Sequence, residues 1–310
     1  MIKRTIFISR DSYIYTDKKQ MHIDFKDEAG GEVSVPIEDI GVLVLESYRL
    51  TLSLNVISRL IDNNVAIITC NQKKIPQGLM LNLEGNILQQ ERFHTQIDAS
   101  TPLKKQLWAQ TIKQKLYNQG KLLYLLDLIE KPHRFMPRNM LQWIESVRSG
   151  DSDNYEARGA AFYWRTLFKD YIDNFTRERG GKSPNNLLNY GYAILRAVTA
   201  RSLTASGLLP TFGIHHHNRY NAYALADDIM EPYRPYVDKI VFDIVKNYDG
   251  NKEEIELNRE LKAQLLQVPA MDVRIDDEKS PLMIAMQRTT ASLNKCYEGL
   301  QRKIIYPEMI

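Results

Sequence analysis

Three separated segments of this 310-residue chain carry the side chains best suited to chemistry. Glu156 stands in Asn-Tyr-Glu-Ala-Arg-Gly-Ala-Ala, His216 in Gly-Ile-His-His-His-Asn, and Glu231 in Asp-Asp-Ile-Met-Glu-Pro-Tyr-Arg-Pro. Two carboxylates and one imidazole form a donor set for a hard divalent cation, Mn²⁺ or Mg²⁺, with positions left open for substrate and water. Each segment also has an ordinary explanation. Glu156 fits an exposed acid on a tightly packed helix, the histidines fit a surface cluster, and Glu231 fits acids gathered by a helix dipole.

The local patterns favour the chemical reading. Small residues after Glu156 (Ala157, Gly159, Ala160, Ala161) let another backbone or a ligand approach closely. His215, His216 and His217 lie in a loop, where neighbouring side chains diverge, so one imidazole is expected to be the ligand. Histidine also titrates near neutrality, which suits proton transfer. Asp227 or Asp228 shares a helical face with Glu231, and like charges held together call for a cation or a basic partner. From 156 to 220 there are nine Lys/Arg against four Asp/Glu, while the whole chain carries only +3. A basic surround for an acidic site suits a polyanionic substrate.

The elements that must hold these groups fall into two textures. Residues 3–9, 13–16, 21–25, 32–36, 41–46 and 65–69 read as strands, and 53–63 as a single helix capped by Ser53. From residue 102 onward, apolar residues recur at helical spacing over 103–128, 137–147, 154–175, 184–208, 222–248, 253–266 and 281–305. The expected class is α+β multidomain: a β-rich domain over 1–85, a polar linker over 86–101 and an all-α catalytic domain over 102–310. Eighty residues can hardly cover the apolar face of such a sheet, so the β-rich domain is expected to mediate homodimerisation. Cys70 and Cys296 are far apart and lack a Cys-x-x-Cys pattern, which fits reduced thiols. With no signal-like N-terminus and no apolar run near the ~18 residues of a span, the expected location is cytoplasmic, with no membrane partner.

The Glu156 segment, Lys182-Ser-Pro-Asn-Asn-Leu-Leu-Asn-Tyr-Gly-Tyr, the Gly213-Ile-His-His block and Asp228-Ile-Met-Glu-Pro-Tyr-Arg-Pro together resemble the CRISPR-associated integrase family of spacer acquisition, Cas-one. The resemblance spans the whole chain. The compact length and triple histidine are most similar to members accompanying type II systems, whose large effector nuclease joins the list of expected partners. It implies a metal-dependent DNA endonuclease and integrase that inserts short fragments into a CRISPR array by attack of a 3′-hydroxyl on a phosphodiester. It also implies an asymmetric homodimer joined by a small ferredoxin-like companion, Cas-two, in a heterohexamer that binds double-stranded DNA. The family's metal ligands fall on Glu156, His216 and Glu231, with Asp228 as accessory acid; many members have Asp where Glu231 stands. Asn185 matches the family's asparagine, with a structural role. Arg158, Arg196, Arg201 and Arg219 are candidates for DNA-backbone contacts. A general nuclease or junction resolvase, and a non-catalytic DNA-capture scaffold, are the competing readings.

Overall fold

The computed structural model describes residues 3–129 and 134–310. Its N-terminal part runs β1 (Arg4–Ile8), β2 (Ser12–Asp17), β3 (Gln20–Phe25), β4 (Glu32–Pro36), β5 (Ile40–Leu45), β6 (Leu50–Leu52), α1 (Leu54–Asp62), β7 (Ala66–Cys70) and β8 (Pro76–Met80). Helices follow: α2 (Gln89–Ile97), α3 (Thr101–Leu125), α4 (Arg138–Ser146), α5 (Tyr155–Leu167), α6 (Asn185–Ala205), α7 (Ala224–Ile229), α8 (Arg234–Asn247) and α9 (Arg259–Leu265). A hairpin, β9 (Asp272–Ile275) and β10 (Glu278–Pro281), precedes α10 (Leu282–Tyr297). None of the described helices is long and apolar enough to cross a membrane.

The N-terminal strands form two sheets. One has the order β1-β5-β7-β8, parallel except for β8; the other has the order β4-β3-β2-β6, antiparallel except for β6. Strand alternation explains why β5 is an unbroken apolar run. Leu43 faces α1 and the second sheet in a core with Ile14, Met21, Val56 and Leu60. Val42 and Val44 point the other way, with Ala66 and Ile68, into the core of the helical part.

The helical part thus covers the face of the first sheet that carries Val42, Val44, Ala66 and Ile68. A buried ion pair, Lys262 to Glu46, and a bond from Arg201 Nε to the carbonyl of Asn64 fasten the two parts further. The stretch read as a linker contains α2, which is bolted down. Gln96, 1% exposed, donates to the carbonyls of Leu209 and Phe212 at 3.0 and 3.2 Å and accepts from Leu209 N at 2.8 Å.

Within the helical part, the run read as one helix over 222–248 is broken. Pro232 and Pro235 have no N–H to donate, so a short 3₁₀ turn, Glu231–Tyr233, separates α7 from α8. The β9–β10 hairpin also interrupts the all-helical pattern. Val273 and Ile275 are buried in alternation, and Asp276 and Asp277, both at positive φ, make the two-residue turn.

Candidate active site

The site is organised around α3, a 25-residue helix buried on several faces, including at Trp108, Lys115, Asn118 and Gln119. Lys115 sits mid-helix with its side chain only 10% exposed, and its Nζ lies 2.7 Å from both Glu156 Oε1 and Glu231 Oε2. The two acids therefore meet at one buried cation. Burial disfavours the charged ammonium, yet Glu231 and Glu156 outweigh that and raise the Lys115 pKa above its ordinary value.

Each acid reaches this point for a local reason. Glu156 occupies the first turn of α5. The Asp151 carboxylate accepts from Tyr155 N and Glu156 N at 3.0 and 2.9 Å, and Asn154 caps Ala157 N. With those helix-end donors satisfied by other side chains, Glu156 is free to project inward. Gly159 allows α5 to press on α3, because a Cβ there would stand 2.1 Å from Leu116 Cδ2. Glu231 is 4% exposed and lies in the proline-broken turn, where Arg234 Nη2 pairs with its Oε1 at 2.9 Å. Burial alone would raise the Glu231 pKa, but Arg234 and Lys115 overcome it and hold the carboxyl below its usual range.

His216 is set by Asp228, which is fully buried. The Asp228 carboxylate accepts from His215 N at 2.9 Å, from His216 N at 3.3 Å and from His216 Nδ1 at 2.5 Å. Gly213 lets the loop curl this tightly, since a Cβ would stand 2.5 Å from His216 O and 2.8 Å from Asp228 Oδ2. With the proton on Nδ1 facing Asp228, the neutral ring presents the Nε2 lone pair, the usual arrangement of a ligating histidine and its carboxylate anchor. The Asp228 bond, working against burial, raises the His216 pKa, and Glu231 and Glu156 add to the rise through space. His215 stacks flat on Trp108, with ring centroids 4.2 Å apart, and its pKa is lowered by burial and by His216. A neighbouring buried carboxyl, Asp238, accepts from Tyr163 and Tyr192; burial pushes its pKa up to about 7.

The structure thus joins Glu156 and Glu231 through Lys115 and sets the anchored His216 within electrostatic reach of both. It does not join all three in a ready-made ligand set. Among the described residues no three His, Cys, Asp or Glu side chains are disposed to hold a metal, and the Lys115 ammonium stands between the two acids. The residues still fit a divalent ion in chemistry. The donor set is two carboxylates and one imidazole, and buried Glu231 Oε2 already holds a cation, the Lys115 ammonium, at 2.7 Å.

The four arginines singled out in the sequence separate. Arg158 and Arg219 are exposed, the latter over the Tyr220 ring, and Arg196 is half-buried in a two-point pair with Asp227. Arg201 is 2% exposed and bonded to Asn64, so it is a strut between the two parts and cannot reach a duplex. The sequence reading gives no role to Lys115 or Arg177, and Arg234 enters it only as a member of the Glu231 motif. Lys115, Asn118 and Gln119 on an apolar face of α3 were the available signal, since buried polar groups need partners.

The chain is thus a mixed two-sheet domain fused to helices that bring two acids to one buried cation beside an anchored histidine. Residues 6–271 match the family described as CRISPR associated protein Cas1, and the chain belongs to that family. A CRISPR-associated endonuclease Cas1 of Neisseria meningitidis serogroup C (strain 8013) is 30% identical over 292 residues, 94% of this chain and 91% of the relative. In fold, the chain is similar to a casposase bound to integration product (TM-score 0.77, 20% identity, 98% of this chain and 92% of that one). It is also similar to part of a Cas6-RT-Cas1–Cas2 complex (TM-score 0.72, 19% identity, 99% of this chain and 36% of that one).

Proposed function

We propose that this chain is a divalent-metal-dependent DNA endonuclease and integrase that inserts short DNA fragments into a CRISPR array. The observation that carries this reading is the convergence of Glu156 and Glu231 on one buried cation beside the anchored His216. Family membership and the likeness to a casposase bound to integration product support the same chemistry. Glu156, His216 and Glu231 would hold Mg²⁺ or Mn²⁺, which supplies Lewis-acid stabilisation of charge on a phosphate. Asp228 orients His216 and fixes its proton on Nδ1, leaving Nε2 for the ion. Arg234, paired with Glu231, supplies fixed positive charge beside the acids; Lys115, which stands between the two acids, would have to yield its place to the ion.

The expected partners are double-stranded DNA, a second copy of the chain and a Cas-two companion, the last supported by the Cas1–Cas2 likeness. The outer face of the second sheet, where Tyr13 is exposed and stacks on Tyr15, supports a role for residues 1–85 in homodimerisation. The compact chain and triple histidine support a type II setting and contact with its effector nuclease. Two free cysteines support a cytoplasmic location.

The test offers 3′-hydroxyl fragments and supercoiled plasmid to the chain with its companion and Mn²⁺. Strand joining is expected from the wild type and is expected to vanish in Glu156→Ala. Full joining by Glu156→Ala would make the chain a DNA-capture scaffold. Cutting without joining would make it a nuclease.

A further inference from the structure

Arg177 lies in the connection between α5 and α6, outside every motif discussed above. Its guanidinium is held with unusual care for a loop residue. Nη1 donates to Glu178 O at 2.8 Å and to Asn185 Oδ1 at 2.9 Å, and Nη2 donates to Asn189 Oδ1 at 2.6 Å. The two asparagines stand one helical turn apart at the start of α6 and also grip the loop backbone. Asn185 Oδ1 accepts from Glu178 N, Asn185 Nδ2 donates to Thr176 O, and Asn189 Nδ2 donates to Arg179 O. Beneath lies the Tyr192 ring, whose centroid is 5.3 Å from Arg177 Cζ and whose hydroxyl is tied to Asp238.

Three of five N–H groups are used in this way, and Nε–H and one Nη2–H are left without a protein partner among the described residues. Nor does any acid there pair with Arg177, whereas Arg196 has Asp227 and Arg234 has Glu231. Asp238 is close enough to act through space, but its two oxygens are taken by Tyr163 and Tyr192. Position matters as much as pairing. Arg177 lines the cavity of about 220 Å³ that contains Glu156 and Glu231. It also lines a larger cavity of about 630 Å³ with Arg179, Arg196 and Arg234. A fixed, unpaired guanidinium fork on the wall common to both is built for an anion at their junction, and the fork matches the geometry of phosphate oxygens.

We infer that Arg177 binds a backbone phosphate of the nucleic-acid strand entering the acidic site, with Asn185 and Asn189 as its positioning residues. This rests on the phosphoryl-transfer reading of that site. Arg177→Gln, Arg177→Lys and Asn189→Ala are compared with wild type in the full chain. The probe is a fluorescein-labelled duplex with 3′-hydroxyl ends, followed by anisotropy between 50 and 300 mM salt and by single-turnover Mn²⁺-dependent cleavage. Arg177→Gln should weaken binding several-fold for all sequences and flatten the slope of log K against log salt by about 0.7–0.9, one phosphate's worth. Arg177→Lys should recover the slope but not the cleavage rate, because it restores charge without the fork. Asn189→Ala should slow cleavage with the slope intact.

An unchanged slope and rate in Arg177→Gln overturns the inference. So does weaker binding at an unchanged slope with a lower unfolding temperature, which would make Arg177 a structural tie. A wild-type chain that neither binds nor cleaves the duplex overturns the reading of the site itself, and this inference with it.

Discussion

Replacing Lys115 by Met tests whether its ammonium stands in for the bound cation. Lys115 and Glu231 have side chains only 10% and 5% exposed, while Glu156 is 24% exposed. Removing one partner of a buried ion pair costs about 3–5 kcal/mol through the charge left behind. Glu231 keeps Arg234 at 2.9 Å, and Glu156 can take up water, so the loss should lie near the lower end, about 3 kcal/mol. At roughly 2–4 °C per kcal/mol for a large domain, the unfolding temperature should fall by roughly 6–12 °C. A divalent ion can then enter without displacing anything. Mn²⁺ at a hundredfold excess over its dissociation constant contributes about 2.7 kcal/mol, so it should restore most of the loss. Wild type, in which the ion must displace the ammonium, should gain less. Differential scanning fluorimetry with and without Mn²⁺ at fixed pH reads both effects. If Lys115→Met melts with the wild type, or Mn²⁺ raises both equally, the ammonium does not occupy the cation's place.

Other consequences can be measured separately. Asp228→Asn should weaken Mn²⁺ binding by about 10–100-fold through loss of the His216 anchor; in calorimetry, His216→Ala should be at least as damaging and His217→Ala close to neutral. Asp238 has its pKa raised in the fold from an ordinary 3.8 to about 7. Its neutral form is the favoured one, so the stability it supplies is full below pH 4 and is lost as pH rises through 7. Denaturant titrations should show Asp238→Asn gaining on wild type by a few kcal/mol between pH 4 and 7, with the difference level above that; a pH-independent difference would refute the raised pKa. Arg201→Met should lower the unfolding temperature while leaving the salt dependence of DNA binding intact, whereas Arg219→Ala should flatten that dependence by about one unit without destabilising the fold.

What could be read from the residues divides along physical lines. Glu156, His216, Asp228 and Glu231 stand in segments whose glycines and acids make local sense, and Gly213 and Gly159 do permit the close approaches their positions suggest. In the first sheet β1, β5 and β7 were legible, the last two because they are apolar on both faces, whereas the edge strand β8, with its proline and glycine, was not. The partner of the outward face was not, since periodicity reports burial and not what does the burying. Lys115 escaped notice because a lysine in a helix is normally solvated; only the packing of α5 and the Glu231 turn around α3 makes it central. Arg201 misled for the opposite reason, as charge in a basic stretch says nothing about exposure. The β9–β10 hairpin was within reach: Val273 and Ile275 alternate ahead of an Asp-Asp turn.

The central claim is that Glu156, His216 and Glu231 hold one divalent ion. Anomalous diffraction at the manganese edge from crystals soaked in Mn²⁺ addresses it most directly. One strong peak is expected, touching a carboxylate oxygen of Glu156, a carboxylate oxygen of Glu231 and His216 Nε2, with the Lys115 ammonium moved aside. A site filled elsewhere, or Lys115 still bridging the two acids at saturating Mn²⁺, would contradict it.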